Sequence, residues 1–399
     1  MGPRGDFSRF AWANSVTQLG TQVTVVALPL TAVLTLNAGA FQLGLLAAVQ
    51  TAAFLVIGLP AGVWVDRWRR RPILVRSDLA RGLALLTVPA AAWLDLLTLP
   101  HLYAVALVLG VGTVFFDVAQ MSLLPALVPK ERLERANGRL EAARQVSVLA
   151  GPGLGGWLVA TVTAPVALLA DAFGYLASAA LLSGGQGERP STARRGRLRA
   201  EVAEGLAFVL REPVLRRVAA GGALTRVALG VCAVGYPLYL VVELRVGPAG
   251  YGLMLSAAAA GALAAVGLTA RLSARHGVGA TLYGSALLVT VFQLLALATG
   301  PGWRLLIFPA ATALAGAAGV IFNVAQLSYR QRITPEHLLG RVNASMRFLM
   351  WGTTPLGGLA GGLVGEWLGG HAVFAAGVAL IGLSYLAIVT APAIIRAAG

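Results

Sequence analysis

The sequence predicts an all-α integral membrane protein with twelve transmembrane helices. Of its 399 residues, 57% are hydrophobic and only 12% are charged. The mean hydropathy is +0.77. Soluble domains are about 45–50% apolar and about 25% charged, so the composition excludes an ordinary soluble enzyme as well as a disordered or collagen-like chain. One bilayer crossing takes about 20 apolar residues, and this chain holds enough for ten to twelve crossings.

Apolar stretches separated by glycine, proline or charged residues give the predicted spans. Because their number is even, both chain termini lie on the same side of the membrane. The predicted spans are residues 11–36, 42–65, 74–98, 102–126, 139–160, 163–183, 216–241, 250–270, 279–299, 304–328, 342–368 and 372–395.

The formal net charge of +15 is distributed unevenly between the loops. Arginines concentrate after even-numbered spans, whereas the loops at 37–40 and 161–164 carry no charge. The positive-inside rule therefore predicts that both termini are cytoplasmic in a multi-pass protein of the cytoplasmic membrane. Basic residues scattered over five short loops also argue against nucleic acid as a partner.

The longest polar segment lies between spans six and seven, at residues 183–217. It divides the chain into an N-terminal six-helix bundle (1–183), a cytoplasmic linker (184–215) and a C-terminal six-helix bundle (216–399). Within the linker, residues 198–210 are predicted to form an amphipathic helix that lies on anionic lipid.

The two bundles are related by an internal repeat. Shifting the chain by 206 positions places residues 116–120 (FDVAQ) on 322–326 (FNVAQ), and the glycines at 151, 155 and 156 on those at 357, 361 and 362. Since an even number of spans separates the copies, they share one orientation. Parallel repeats of this kind are one transporter architecture, so the two bundles are predicted to be pseudo-symmetric.

Twelve spans, parallel halves and a central cytoplasmic loop resemble the major facilitator superfamily. Residues 62–71 (GVWVDRWRRR) are similar to the loop 2–3 motif of that family, G-x-x-x-D-R-x-G-x-R, with Arg69 where the family usually has glycine. In the family this loop locks a cytoplasmic gate, although topology-setting charge alone is the alternative interpretation. The resemblance assigns the gate to Gly62, Asp66, Arg67, Arg71, Asp78, Arg81 and Arg347.

A second motif lies in span five and resembles the antiporter motif G-x8-G-x3-G-P-x2-G-G of drug/proton exporters. Its positions are Gly138, Ser147, Gly151, Pro152, Gly155 and Gly156, of which only the serine departs from the family pattern. A glycine face for close helix packing is the alternative, and both can be true. Residues 115–117 (FFD) and 124–129 (LPALVP) resemble the macrolide-efflux and enterobactin-exporter branch.

The resemblance implies a secondary active transporter that exports amphipathic drug-like or siderophore-like molecules by alternating access and proton antiport. Its expected partners are the small-molecule substrate, protons and membrane lipid, and we expect a monomer. A major facilitator importer, a lipid or lysolipid transporter, and a channel or substrate-sensing receptor remain alternatives. The chain has no H-E-x-x-H, nucleotide-binding P-loop, G-x-S-x-G or Cys/His cluster. We therefore expect no enzyme activity, no cofactor and no metal site.

Charged side chains inside a bilayer are costly, and by default they are functional or paired. Asp117 in span four and Arg144 in span five lie at similar depths of one hairpin. They form either a structural salt bridge or a site where Asp117 takes up a proton or a cationic substrate and Arg144 tunes it. Asp171, near the middle of span six, is a further proton candidate. Its alternative is a carboxyl group satisfied by neighbouring helices.

Span one carries polar residues at four-residue spacing on one helix face, which indicates a wet cavity rather than lipid. The resemblance implies that spans one, four, seven and ten line that cavity. Because few of these groups are charged, a large and mainly apolar substrate is expected, with Arg226 either countering an anionic group or holding an acid. The predicted cavity residues are Asn14, Gln18, Gln22, Thr113, Gln120, Arg226, Tyr236, Tyr239, Asn323 and Gln326.

Overall fold

A computed structural model describes residues 3–129, 132–184, 198–334 and 339–389, and every regular element in these ranges is helical. Short π-helical turns, Thr31–Thr35 and Pro237–Glu243, extend two of the helices. The helices are α1 (Pro3–Leu30), α2 (Ala40–Arg67), α3 (Arg70–Trp93), α4 (Leu99–Leu127), α5 (Leu133–Thr161), α6 (Ala164–Ser183), α7 (Leu198–Arg211), α8 (Pro213–Tyr236), α9 (Pro248–His276), α10 (Val278–Ala296), α11 (Ile307–Ile333), α12 (Leu339–Trp351) and α13 (Thr354–Val389).

The described residues contain nine stretches that are long and apolar enough to cross a membrane. Helices α3 and α5 are not among the nine, and one stretch, Ser345–Leu386, covers both predicted spans eleven and twelve. The all-helical membrane architecture is therefore confirmed, whereas the number of twelve spans remains a prediction.

Helix α13 is two helical segments joined at one glycine. Gly369 has φ 81° and ψ 174°, which is not a helical conformation. Glycine adopts positive φ without the steric cost that a Cβ brings. The predicted break between spans eleven and twelve falls at this residue.

The backbone conformation repeats along the chain, as the sequence does. Asn37 and Arg245 both have left-handed φ, 50° and 54°, and lie 208 positions apart. Thr163 (φ 125°) and Gly369 (φ 81°) lie 206 positions apart. Positive φ is uncommon for residues other than glycine, so its recurrence at matching places indicates two copies of one backbone plan.

Helix packing repeats as well. A Cβ placed on Gly155 would lie 3.0 Å from the Cα of Val23, and one placed on Gly361 would lie 3.0 Å from the Cα of Val231. Both contacts bring helix backbones together through a glycine, as small residues do in membrane proteins. The repeated glycines therefore serve the same packing in each copy.

The chain forms two compact units, Met1–Arg195 with Val246–Ser256, and Gly196–Arg245 with Ala257–Gly399. The helix predicted at 198–210 is present as α7, whereas its position on lipid stays a prediction. Val209 of α7 is fully buried and packs with Val342 and Met346 in the core of the C-terminal unit. Its apolar face is therefore covered by protein at this point.

Candidate functional site

Among the described residues of the N-terminal unit, three charged side chains are buried. Asp78 and Asp171 are 0% exposed, and Arg81 is 2% exposed. A charge removed from water is costly unless it is paired and hydrogen-bonded. This group, named the buried charge cluster, is therefore the candidate functional site.

Helical spacing brings the cluster together. Asp78 and Arg81 lie three residues apart, on one face of α3. Asp171, Tyr175 and Ser178 lie at intervals of four and three residues, on one face of α6. Helix α6 packs against both α3 and α1, so these faces meet in the interior of the unit.

The guanidinium of Arg81 has an ion-pair partner and two aromatic rings around it. Its guanidinium pairs with Asp78, and it lies 4.2 Å from the ring centre of Tyr175 and 4.7 Å from that of Phe116. The Ser178 hydroxyl donates a 2.5 Å hydrogen bond to the other carboxylate oxygen of Asp78. The ion pair and the aromatic faces together stabilise the positive charge.

Asp171 is only half satisfied. Its Oδ2 atom accepts a 2.5 Å hydrogen bond from the Thr24 hydroxyl of α1. Its Oδ1 atom is buried and has no hydrogen-bond partner among the described residues. This oxygen lies against Gly20, where an added Cβ would collide with it. An ionised carboxylate offers about four acceptor positions, so the structure leaves most of them empty.

Among the described residues of the C-terminal unit, the matching positions hold no counterpart of this cluster. Helix α10 repeats α3 at a spacing of 208 positions, with a buried serine at both 77 and 285. The spacing is 206 positions between α6 and the second part of α13. The residues that correspond to Asp78, Arg81 and Asp171 are Ala286, Val289 and Gly377. The shared backbone plan therefore does not require these charges.

The predicted pairing of Arg144 with Asp117 is wrong. Arg144 makes a two-pronged ion pair with Glu141, one turn earlier on α5, at 2.7 and 2.9 Å. The two side chains are 46% and 54% exposed. An acid three residues away on the same helix is a nearer partner than one on another helix. Asp117 itself is partly buried on α4.

Two of the predicted gate residues, Asp78 and Arg81, lie in the buried charge cluster, where they contact α4 and α6. Their role in a gate stays a prediction. Arg71 forms an ion pair with Asp6 at 3.6 Å, and Arg347 lies 5.9 Å from the ring centre of Trp351. The side chains of the remaining gate residues, Gly62, Asp66 and Arg67, lie outside the described part of the chain.

Three glycines of the antiporter motif, Gly151, Gly155 and Gly156, lie at close helix contacts, as the packing alternative expected. Gly156 packs against the first turns of α9, which belong to the same unit, and Gly138 has open space around it. The Ser147 hydroxyl donates to the Ala143 carbonyl at 2.9 Å. The exporter interpretation stays a prediction. The remaining contacts are those of Gly151 with Gln22, Gly155 with Val23 and the Pro152 carbonyl with Gly252.

The predicted cavity residues differ in exposure. Asn14 and Tyr239 are buried, at 2% and 6% exposure, and the Tyr239 hydroxyl donates to the Thr299 carbonyl at 2.9 Å. Arg226 lies 3.8 Å from the ring centre of Trp351. Tyr239 is thus held by a protein contact, whereas the buried Oδ1 atom of Asn14 has no hydrogen-bond partner among the described residues. The predicted cavity residues that keep some exposure are Gln18, Gln22, Thr113, Gln120, Arg226, Tyr236, Asn323 and Gln326.

The sequence is similar to known transporters over most of its length. The family model described as Major Facilitator Superfamily matches residues 10–235. A multidrug efflux pump, Tap, of Mycobacterium tuberculosis is 30% identical over 389 residues, which is 94% of this chain and 90% of that protein. The enterobactin exporter EntS of Citrobacter koseri is 31% identical over 316 residues, which is 76% of this chain and 72% of that protein.

The fold is also that of solved transporters. A bacterial homologue of the iron transporter ferroportin, in its inward-facing state, aligns with a TM-score of 0.75 at 18% identity. The alignment covers 98% of this chain and 100% of that chain. At such low identity, this likeness concerns the fold alone.

Proposed function

The chain belongs to the major facilitator superfamily and is a membrane transporter, and from this premise we propose that it exports amphipathic drug-like or siderophore-like small molecules. Export takes place across the cytoplasmic membrane, by alternating access and in exchange for protons. The transporter works as a monomer with twelve spans and cytoplasmic termini.

Two observations support the direction of transport. Relatives with about 30% identity over most of the chain include a multidrug efflux pump and an enterobactin exporter. The motif at positions 138–156 departs from the antiporter pattern only at Ser147. Arginine-rich loops after even-numbered spans support the cytoplasmic position of the termini.

The buried charge cluster carries the proposal of proton coupling. If both carboxyl groups were ionised, one guanidinium would face two carboxylates, and the cluster would hold one net negative charge away from water. Binding one proton removes that charge. A buried cluster whose net charge is neutralised by one proton is therefore suited to bind and release a proton during the transport cycle.

Asp171 is the proposed proton acceptor of the pair. Asp78 has the guanidinium of Arg81 on one oxygen and the Ser178 hydroxyl on the other, which favours its ionised form. Among the described residues, Asp171 has only the Thr24 hydroxyl as a partner, and its Oδ1 atom, which has none there, can carry the proton. Arg81 is a positioning residue, because it holds Asp78 ionised next to this site.

The function is tested with inverted membrane vesicles that contain the overproduced chain. A proton gradient is imposed, and the export substrates are an amphipathic dye and, separately, a catecholate. The expected result is gradient-driven accumulation of substrate, with an alkaline shift of the vesicle interior when substrate is added. Accumulation that persists after the gradient is collapsed, or solute uptake by whole cells, contradicts proton-coupled export.

A further inference from the structure

An apolar groove lies on the surface of the N-terminal unit between α3 and α4. Its volume is about 420 Å³, and its lining is almost entirely hydrocarbon. Leu107 on its wall is 47% exposed, so the groove opens to the surroundings of the unit. On a membrane-spanning hairpin, those surroundings are lipid acyl chains.

Positive charge and an aromatic ring mark one end of this groove. Arg76 is its charged lining residue, and Trp68 lies beside it with 57% of its surface exposed. Exposed Arg69 follows Trp68 directly in the chain, in the loop that leads into α3. Tryptophan and arginine are typical of the headgroup level of a bilayer.

From this arrangement we infer that the groove between α3 and α4 binds one anionic phospholipid, with its phosphate at Arg76 and one acyl chain along Ala80, Leu107 and Val111. Charge complementarity favours an anionic headgroup over a zwitterionic one, because basic pockets between membrane helices bind anionic lipid headgroups. The hydrocarbon lining takes the chain. The inference rests on the helices spanning the membrane, not on the direction of transport.

The groove shares its inner wall with the buried charge cluster. Ser77 and Gly112 line it, and a Cβ placed on Gly112 would lie 2.7 Å from the Cγ of Arg81. The backbone carbonyl of Ser77 also accepts a hydrogen bond from Nε of Arg81 at 3.4 Å. A bound lipid chain therefore lies next to the residue that positions the proposed proton site.

Trp68 provides the measurement, since bromine atoms on a lipid chain quench nearby indole fluorescence. The full chain in neutral detergent is titrated with phosphatidylglycerol or phosphatidylcholine carrying the same brominated chains. The Trp68 contribution is the difference between the wild-type chain and the Trp68→Phe variant. We expect phosphatidylglycerol to quench this contribution at a mole fraction about five-fold lower, which corresponds to about 1 kcal/mol for one arginine near the surface.

Three variants separate the sources of quenching. Arg76→Gln should remove the preference for phosphatidylglycerol, whereas Arg275→Gln, an exposed arginine at the end of α9, should leave it unchanged. Ala80→Phe fills the groove and should reduce quenching by both lipids. Equal quenching by the two lipids in the wild-type chain, or a preference that survives Arg76→Gln, overturns the inference. An unchanged melting temperature of each variant shows that the fold is intact.

Discussion

The Thr24 hydroxyl on α1 donates its hydrogen bond to Oδ2 of Asp171 on α6, while Oδ1 of the same carboxyl group faces Gly20 without a partner among the described residues. One side of this buried acid is therefore held, and the other is open to a proton. This asymmetry distinguishes Asp171 from Asp78, whose two oxygens both have partners.

Replacing Asp171→Asn is expected to abolish gradient-driven efflux while leaving the protein folded. Asparagine has nearly the same volume, and its amide oxygen can still accept from Thr24, but it cannot exchange a proton. Substrate binding should stay within about two-fold of wild type, and the substrate-induced pH change in vesicles should disappear.

The control for this variant is Glu366→Gln, because Glu366 is an exposed acid on α13. Its efflux should match that of the wild type. Proton-driven efflux that survives in Asp171→Asn but is lost in Asp117→Asn would move the coupling site to α4.

Gly20→Ala tests the packing of the proposed site. The added methyl group collides with Oδ1 of Asp171, and the Cα of Asp171 is only 3.0 Å away. Overpacking of this kind destabilises by about 1–3 kcal/mol. We expect a lower melting temperature and weak efflux, whereas Gly58→Ala should behave as wild type, since nothing lies within 4 Å of the added Cβ. Normal efflux and stability in Gly20→Ala would show that Asp171 moves freely.

The two end positions of the antiporter motif should respond differently to alanine. Gly156→Ala places a methyl group against the Pro248 carbonyl and 3.0 Å from the Cα of Gly252, so α5 and α9 must separate. Gly138→Ala meets open space and gains helix propensity of about 1 kcal/mol. Melting temperatures should therefore fall for the first variant and stay level or rise for the second. Equal behaviour of the two would contradict the packing role.

Arg144→Gln and Glu141→Gln should leave efflux near the wild-type rate. The two residues form an exposed pair at a spacing of three residues on α5, and such pairs contribute below about 0.5 kcal/mol. Dye efflux and its pH dependence are the measurements. A shifted pH profile in Arg144→Gln would restore the earlier hypothesis that Arg144 tunes Asp117.

The sequence predicted part of the candidate site. Asp171 is visible because an acid interrupts an apolar run, and no contact information is needed to notice it. Arg81 was assigned to the gate because it follows the loop 2–3 motif closely. Its burial depends on α6 packing against α3, and about 90 positions of chain separate the two contact surfaces. Pairing over such distances cannot be derived from local periodicity.

Two ion pairs could have been predicted from local spacing in the sequence. Glu141 lies three residues before Arg144, and Asp78 three residues before Arg81. Both spacings predict pairs on one helix face. The helices themselves follow from hydropathy, and the break predicted between spans eleven and twelve coincides with the positive φ of Gly369 within α13.

The C-terminal unit has uncharged residues at the positions that correspond to Asp78 and Arg81, and these residues suggest a double replacement. Asp78→Ala alone should destabilise by about 3–5 kcal/mol, because it leaves the buried guanidinium of Arg81 without its ion-pair partner. The double replacement Asp78→Ala, Arg81→Val removes both charges and introduces the residues found at 286 and 289. Its melting temperature should recover most of the loss, since buried pairs replaced by apolar residues are often tolerated. Efflux should be absent in this double variant. Without the charges of Asp78 and Arg81 beside it, Asp171 keeps its proton throughout the cycle. A double variant that folds and still exports against a gradient would show that the cluster serves packing alone.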